Sequence, residues 1–145
     1  RFSSWVTVAD LGDGGSRSAR ESVRRAVLKL RDEGLVERAA TLGRSILHDL
    51  RSVLTDRCGP LVRDVRGAGL LIGIELVDEQ TAGELVLNLL EEGVLVNHSL
   101  NAHSVIRLTP PAVLSTADVD RLLEAFDRAG SMLAERHDPP MERTA

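Results

Sequence analysis

Leu61-Val62-Arg63-Asp64-Val65, followed across Gly67-Ala68-Gly69 by Leu70-Leu71-Ile72-Gly73-Ile74-Glu75-Leu76-Val77, is where the apolar pattern of the chain changes its period. Before it, apolar residues recur every three or four positions; within it they alternate or run unbroken, the pattern of strands with one or both faces covered. The stretch therefore predicts two strands joined by a glycine turn. Two helices precede it. The first starts at Ser18, where Ser18-Ala19-Arg20-Glu21 fits a capping box, and carries the stripe Val23, Ala26, Val27 and Leu30. Gly34 supplies a left-handed stop, after which Leu35, Ala39, Leu42, Ile46, Leu50 and Val53 mark a longer helix that ends before Gly59-Pro60.

Downstream, Thr81 to Glu92 is helical by Leu85, Val86, Leu89 and Leu90, with Gly93 as its stop. Val94-Leu95-Val96-Asn97 and Val105-Ile106-Arg107-Leu108 are expected as short strands around a polar loop, His98 to Ser104. Pro110-Pro111 forces an extended break. A last helix begins at Ser115 or Thr116, with Asp118 near its positive N-terminus and Val119, Leu122, Phe126, Ala129 and Leu133 as its core stripe. The order helix, helix, strand, strand, helix, strand, strand, helix predicts an α+β fold: a small antiparallel or mixed sheet with helices mainly on one face. Three segments are expected: a lead-in over 1–15, one domain over 16–136 and a flexible tail over 137–145.

A chain of 145 residues, 43% hydrophobic and 28% charged, is long enough to bury a core, which sets aside collagen-like and wholly disordered classes. A formal net charge of −4 lacks the basic face that nucleic acid requires, and no apolar run has the length of a membrane span. Cys58 is the only cysteine, so no internal disulfide forms, and a reducing cytoplasm is the expected compartment. Arg1 to Asp10 carry no secretory signal, and a first residue that is not methionine suggests a start that is truncated or processed.

Catalytic patterns are sparse. A Ser/His/Asp set drawn from Ser99 and His103 has no strained elbow and no orienting acid, and His98 with His103 lack the helical Glu/His pair of a metal site. Gly67-Ala68-Gly69 continues into a strand where a dinucleotide fingerprint opens a helix, so turn glycines are the better account. Cys58 before Gly59-Pro60 is a packed thiol rather than a nucleophile. Arg107 stands apart: a planar cation on a strand just before Thr109-Pro110-Pro111, placed to hold a carboxylate through two parallel hydrogen bonds. A surface arginine on a sheet edge fits the same periodicity, and both roles stay open.

Four segments in one order carry a resemblance: Asp32-Glu33-Gly34-Leu35-Val36-Glu37-Arg38-Ala39, Val65 to Leu76, Glu92-Gly93-Val94-Leu95-Val96-Asn97 and Val105-Ile106-Arg107-Leu108-Thr109-Pro110-Pro111. Together, over Gly14 to Leu133, they resemble the C-terminal small domain of class III pyridoxal-phosphate-dependent aminotransferases, the ornithine, acetylornithine and ω-amino-acid group. The resemblance implies amino-group transfer from a donor to a keto acid, a cofactor held through a lysine, and a homodimer with sites at the subunit boundary. By position, Arg107 is the residue that binds a substrate carboxylate or pairs with a glutamate of the large domain. Arg66, Gly67, Gly69 and Gly73 fall where the family shapes its strand-turn-strand.

The chain also departs from that family. The cofactor lysine and the acid at the cofactor's ring nitrogen belong to a large domain absent from these residues, and Lys29, the only lysine, falls on the exposed side of a helix. Gly14-Gly15-Ser16-Arg17 takes the last four places of a histidine-glycine-serine-threonine-x-glycine-glycine-asparagine-proline segment, which puts Gly12 where a phosphate-binding threonine belongs. The expectation is a domain or fragment of such an enzyme, inactive alone, whose partners are the large catalytic domain or a second subunit and, in the intact enzyme, a carboxylate-bearing small molecule. Trp5, Val6 and Val8 are candidate partner surface. The alternative is a stand-alone interaction or assembly module that keeps the fold without the chemistry.

Overall fold

The structure, a computed structural model, describes residues 17–99 and 101–137. Trp5, Val6, Val8 and Gly12 of the lead-in and the tail beyond His137 lie outside the described residues. Two compact units divide the chain, one ending at Glu37 and one starting at Arg38. In the first, α1 (Arg17–Asp32) begins one residue before the expected start, which places Ser18 within the helix. Glu21 accepts from Arg25 Nε at 3.1 Å, an exposed i,i+4 pair worth a few tenths of a kcal/mol, about 0.3–0.5. Gly34, at φ 63°, separates α1 from the first turn of α2 (Leu35–Cys58).

From Arg38 onward α2 buries Ile46, Leu50, Leu54 and Cys58, one residue per turn on one face. Gly59–Leu61 form a single 3-10 turn, and the first strand therefore starts at Val62, not at Leu61. β1 (Val62–Ala68) and β2 (Leu71–Leu76) pair antiparallel, with Ala68 opposite Leu71, so only Gly69 and Leu70 form the turn. Gly69 has φ +56°, the left-handed conformation that tight hairpins demand. Gly43 of α2 lies against that turn: a Cβ there would sit 2.0 Å from Gly69 O. Arg51 Nε donates to Val65 O at 2.7 Å, which ties the same helix to β1.

α3 (Glu79–Glu91) starts two residues before the expected Thr81, because the Asp78 carboxylate accepts from Thr81 N at 2.7 Å and caps the helix. At its other end Gly93 N donates to Leu90 O and Val94 N to Leu89 O, at 3.0 and 2.8 Å, the paired bonds of a Schellman motif. This closure overturns the expected strand at Val94–Asn97, since the Val94 amide is already used. The expected strand Val105–Leu108 forms as the C-terminal part of β4 (Ala102–Leu108), and its edge partner is β3 (Asn97–Ser99), so His98, Ser99 and Ala102 to Ser104, expected as loop, are strand. α4 (Thr116–His137) carries the expected stripe, with Val119, Leu122, Phe126, Ala129 and Leu133 all buried.

The sheet order is β1-β2-β4-β3, antiparallel throughout. Val65, Ile72, Ile74, Leu76, Ile106 and Leu108 point to one face and form a single core with α2, α3 and α4. Buried Asn88 of α3 donates to Ala129 O at 3.2 Å, and Arg57 of α2 pairs with Asp127 of α4 at 2.6 Å. The fold is α+β, as the order of elements implies, and among the described residues of this unit no helix packs on the opposite face of the sheet. Among the described residues no helix is long and apolar enough to cross a membrane.

Candidate functional site

Alternation along β4 decides where its charged residue goes. Ile106 and Leu108 turn inward to the core, so Arg107 between them projects from the open face. The register sets Arg107 opposite Gly73 on β2 and opposite Asn97 on β3, and Gly73 in turn opposite Arg66 on β1. One row across the open face thus reads Arg66, Gly73, Arg107, Asn97.

The two arginines of this row are electrostatically different. Arg66 donates to Glu75 at 2.6 Å and to Asp64 at 3.0 Å, and these bonds raise its pKa further above the ordinary guanidinium value. Its charge is consumed by two neighbouring carboxylates. Outside its backbone pairing in the sheet, the Arg107 guanidinium has no hydrogen bond or ion pair to any described residue. It is also the one residue shared by two hollows, of about 450 and 510 Å³. The smaller lies over the open face between Arg66, Gly73 and Val105; the larger is walled by Asn97, Thr109, Pro110, Pro111 and Asp118.

Gly73 contributes by what it lacks. A Cβ there would meet Val105 Cγ1 at 3.6 Å and Arg66 O at 3.9 Å, ordinary contact, and its φ is not in the left-handed range. The backbone does not require glycine here, and a glycine inside a strand leaves open floor for close approach of another group. An unpaired guanidinium above an open floor, on a rigid four-stranded sheet, can receive a planar anion such as a carboxylate through two hydrogen bonds.

The other candidates are dispersed. His98 Nδ1 lies 2.9 Å from His103 O across the hairpin, and His103 Nδ1 lies 3.9 Å from Glu79, so neither ring is directed to Ser99 by any hydrogen bond among the described residues. No cluster of three or more metal-ligating side chains occurs among the described residues. Cys58 is buried, which pushes its thiol pKa up to about 11 and suppresses the thiolate. Lys29 is 72% exposed and pairs with Glu33 at 3.7 Å. Sequence reasoning missed Arg38, whose Nε and Nη2 both donate at 2.7 Å, to Ala112 O and Leu114 O. Its partners lie more than seventy residues away, and no local pattern signals them.

The residues from 14 to 129 match the family model described as Aminotransferase class-III. An acetylornithine aminotransferase of Methanothermobacter thermautotrophicus is 45% identical over 97 residues, covering 67% of this chain and 23% of the relative. A Bacillus anthracis aminotransferase structure superposes with a TM-score of 0.72 at 25% identity, covering 81% of this chain and 29% of that one. The ornithine aminotransferase of Toxoplasma gondii, crystallised with partial occupancy of PLP at its active site, gives a TM-score of 0.64 at 28% identity, covering 74% of this chain and 25% of its own. The chain spans about a quarter of the length of the curated relatives it matches.

Proposed function

Because the chain belongs to the class III aminotransferases, we propose that it serves as the C-terminal small domain of an enzyme that moves an amino group between an amino donor and a keto acid. Residues 16–136 form the domain in this reading, and Arg107 holds a substrate carboxylate. The observation that carries it is the unpaired Arg107 guanidinium, exposed on the open sheet face between two hollows.

Class III aminotransferases depend on pyridoxal phosphate, which supplies the electron sink for the chemistry. The described residues do not fit that cofactor: Lys29 is solvent-exposed and committed to Glu33, and Arg66 is neutralised by Asp64 and Glu75. The chain's share is to bind and orient. A carboxylate on Arg107 is fixed in plane by the guanidinium fork, and the Thr109–Pro111 wall limits how the rest of the substrate can turn. The lysine, the acid at the cofactor ring and the cover for the open face come from a large catalytic domain or a second subunit. Leu71 and Leu95, 56% and 84% exposed, support such a cover, and a buried reduced Cys58 suits a cytoplasmic enzyme.

The test is Arg107→Ala in the holoenzyme. Loss of a charge-assisted pair worth about 2 kcal/mol raises KM for a carboxylate substrate roughly thirty-fold. An unchanged KM removes the carboxylate role and leaves Arg107 structural or idle in the enzyme.

A further inference from the structure

We infer that Arg38 is a positioning residue for the Arg107 site: it fixes the segment after β4 so that the wall beside the Arg107 guanidinium keeps its shape. The inference rests on the carboxylate role of Arg107.

Thr109 to Leu114 leaves β4 just past Arg107 and runs to the start of α4 without belonging to a helix or strand. Its Thr109, Pro110, Pro111 and Leu114 line the same hollow as Arg107. Such a segment carries free backbone carbonyls, and whatever satisfies them determines its path. At its near end it is held by the pairing of Leu108 with Ile72. At its far end the α4 cap holds it, Ser115 N donating to Asp118 Oδ2 at 3.1 Å and Asp118 N to Ser115 Oγ at 3.2 Å. Between these anchors the only internal bond found among the described residues is Leu114 N to Pro111 O at 3.2 Å.

Arg38 closes that gap. Its Nε donates to Ala112 O and its Nη2 to Leu114 O, both at 2.7 Å, so one guanidinium spans two carbonyls of alternate residues. Among the described residues no carboxylate forms an ion pair with it, which leaves the loop carbonyls as its function. The rigid fork sets the spacing of the two carbonyls; an ammonium is a point donor on a flexible stem and does not. The two prolines restrict the turn on one side, and the fork restrains it on the other. Losing the fork lets the wall beside Arg107 move, and misplacement by about 1 Å is enough to weaken a positioned contact strongly.

The experiment compares Arg38→Ala, Arg38→Gln and Arg38→Lys with Arg107→Ala in the holoenzyme, reading KM and kcat for a carboxylate keto-acid acceptor together with the thermal midpoint. Expected is a KM raised about ten-fold by Arg38→Ala, with kcat within two-fold and the midpoint within a few degrees, and at least half of that defect remaining in Arg38→Lys. Arg38→Gln, which keeps a donor and most of the stem, gives an intermediate KM and serves if the alanine variant does not fold. If Arg107→Ala raises KM while every folded Arg38 variant leaves it within two-fold, the positioning role is overturned and the carboxylate role stands. A fall in thermal midpoint with KM unchanged marks Arg38 as a fold staple only and equally overturns it. If Arg107→Ala leaves KM unchanged, the carboxylate role falls first and the positioning role falls with it.

Discussion

Gly43 shows how much a single missing side chain can carry. It sits in the middle of α2, where glycine costs about 1 kcal/mol relative to alanine, so its presence calls for a reason. A Cβ would lie 2.0 Å from Gly69 O and 2.2 Å from Gly69 C, both backbone atoms at the β1–β2 turn that cannot rotate away. Gly43→Ala should therefore cost at least about 3 kcal/mol, as the helix and the hairpin are forced apart. Gly69→Ala is milder: its Cβ would meet nothing nearer than Ala39 O at 3.8 Å, and the penalty is the left-handed φ of +56° alone, about 1–2 kcal/mol. Urea unfolding of the two variants side by side checks the order, and a Gly43→Ala loss no larger than that of Gly69→Ala contradicts the close-approach account. The place of Arg107 on a strand just before two prolines was legible, whereas the contacts of Gly43 and Arg38 were not. Their reasons lie in partners 26 and more than seventy residues away, which helical periodicity does not encode.

The elements were legible to the extent that their signals are local. α2, α4, the β1–β2 hairpin and the Val105–Leu108 part of β4 follow from apolar period and a turn glycine, while the edge strand β3 and the start of β4 did not. Val94-Leu95-Val96 has the composition of a strand, but its first amide closes α3, and polar Asn97-His98-Ser99 takes the edge instead. Both described helix caps built on aspartate make a common pH prediction. Asp78 lies below its ordinary value chiefly through the Thr81 backbone N–H, and Asp118 chiefly through the Ser115 hydroxyl. A carboxyl whose folded-state pKa is depressed stabilises fully above its unfolded value and loses that contribution as pH falls through the folded one. Stability should hold from neutral pH to about pH 5 and decline below it. Ser115→Ala should cost about 1 kcal/mol at pH 7 and less in acid, where Asp118 is protonated. Denaturant melts of both proteins across that range measure the difference, and a loss that is constant with pH would remove Asp118 from the account.

For the whole molecule the decisive feature is the separation of what it holds from what amino transfer requires. Its sheet is covered on one face by α2, α3 and α4 and presents on the other an unpaired Arg107, an open floor at Gly73 and a neutralised Arg66. That surface can receive a carboxylate, but it offers no nucleophilic amine. A lysine becomes a working nucleophile when an apolar pocket or a neighbouring cation destabilises its ammonium form. Lys29 has the opposite surroundings, 72% exposure and a carboxylate at 3.7 Å. The 145-residue chain alone, supplied with pyridoxal phosphate, an amino acid and a keto acid, should therefore show no turnover above the cofactor's own background. Borohydride reduction of the mixture should leave no cofactor fixed specifically on Lys29. A mass shift at that residue accompanied by turnover would place the chemistry inside this chain and make the large-domain requirement unnecessary. Restoration of turnover by a lysine-bearing large domain supplied separately, and its sensitivity to Arg107→Ala, would instead locate the amine outside and the carboxylate grip within.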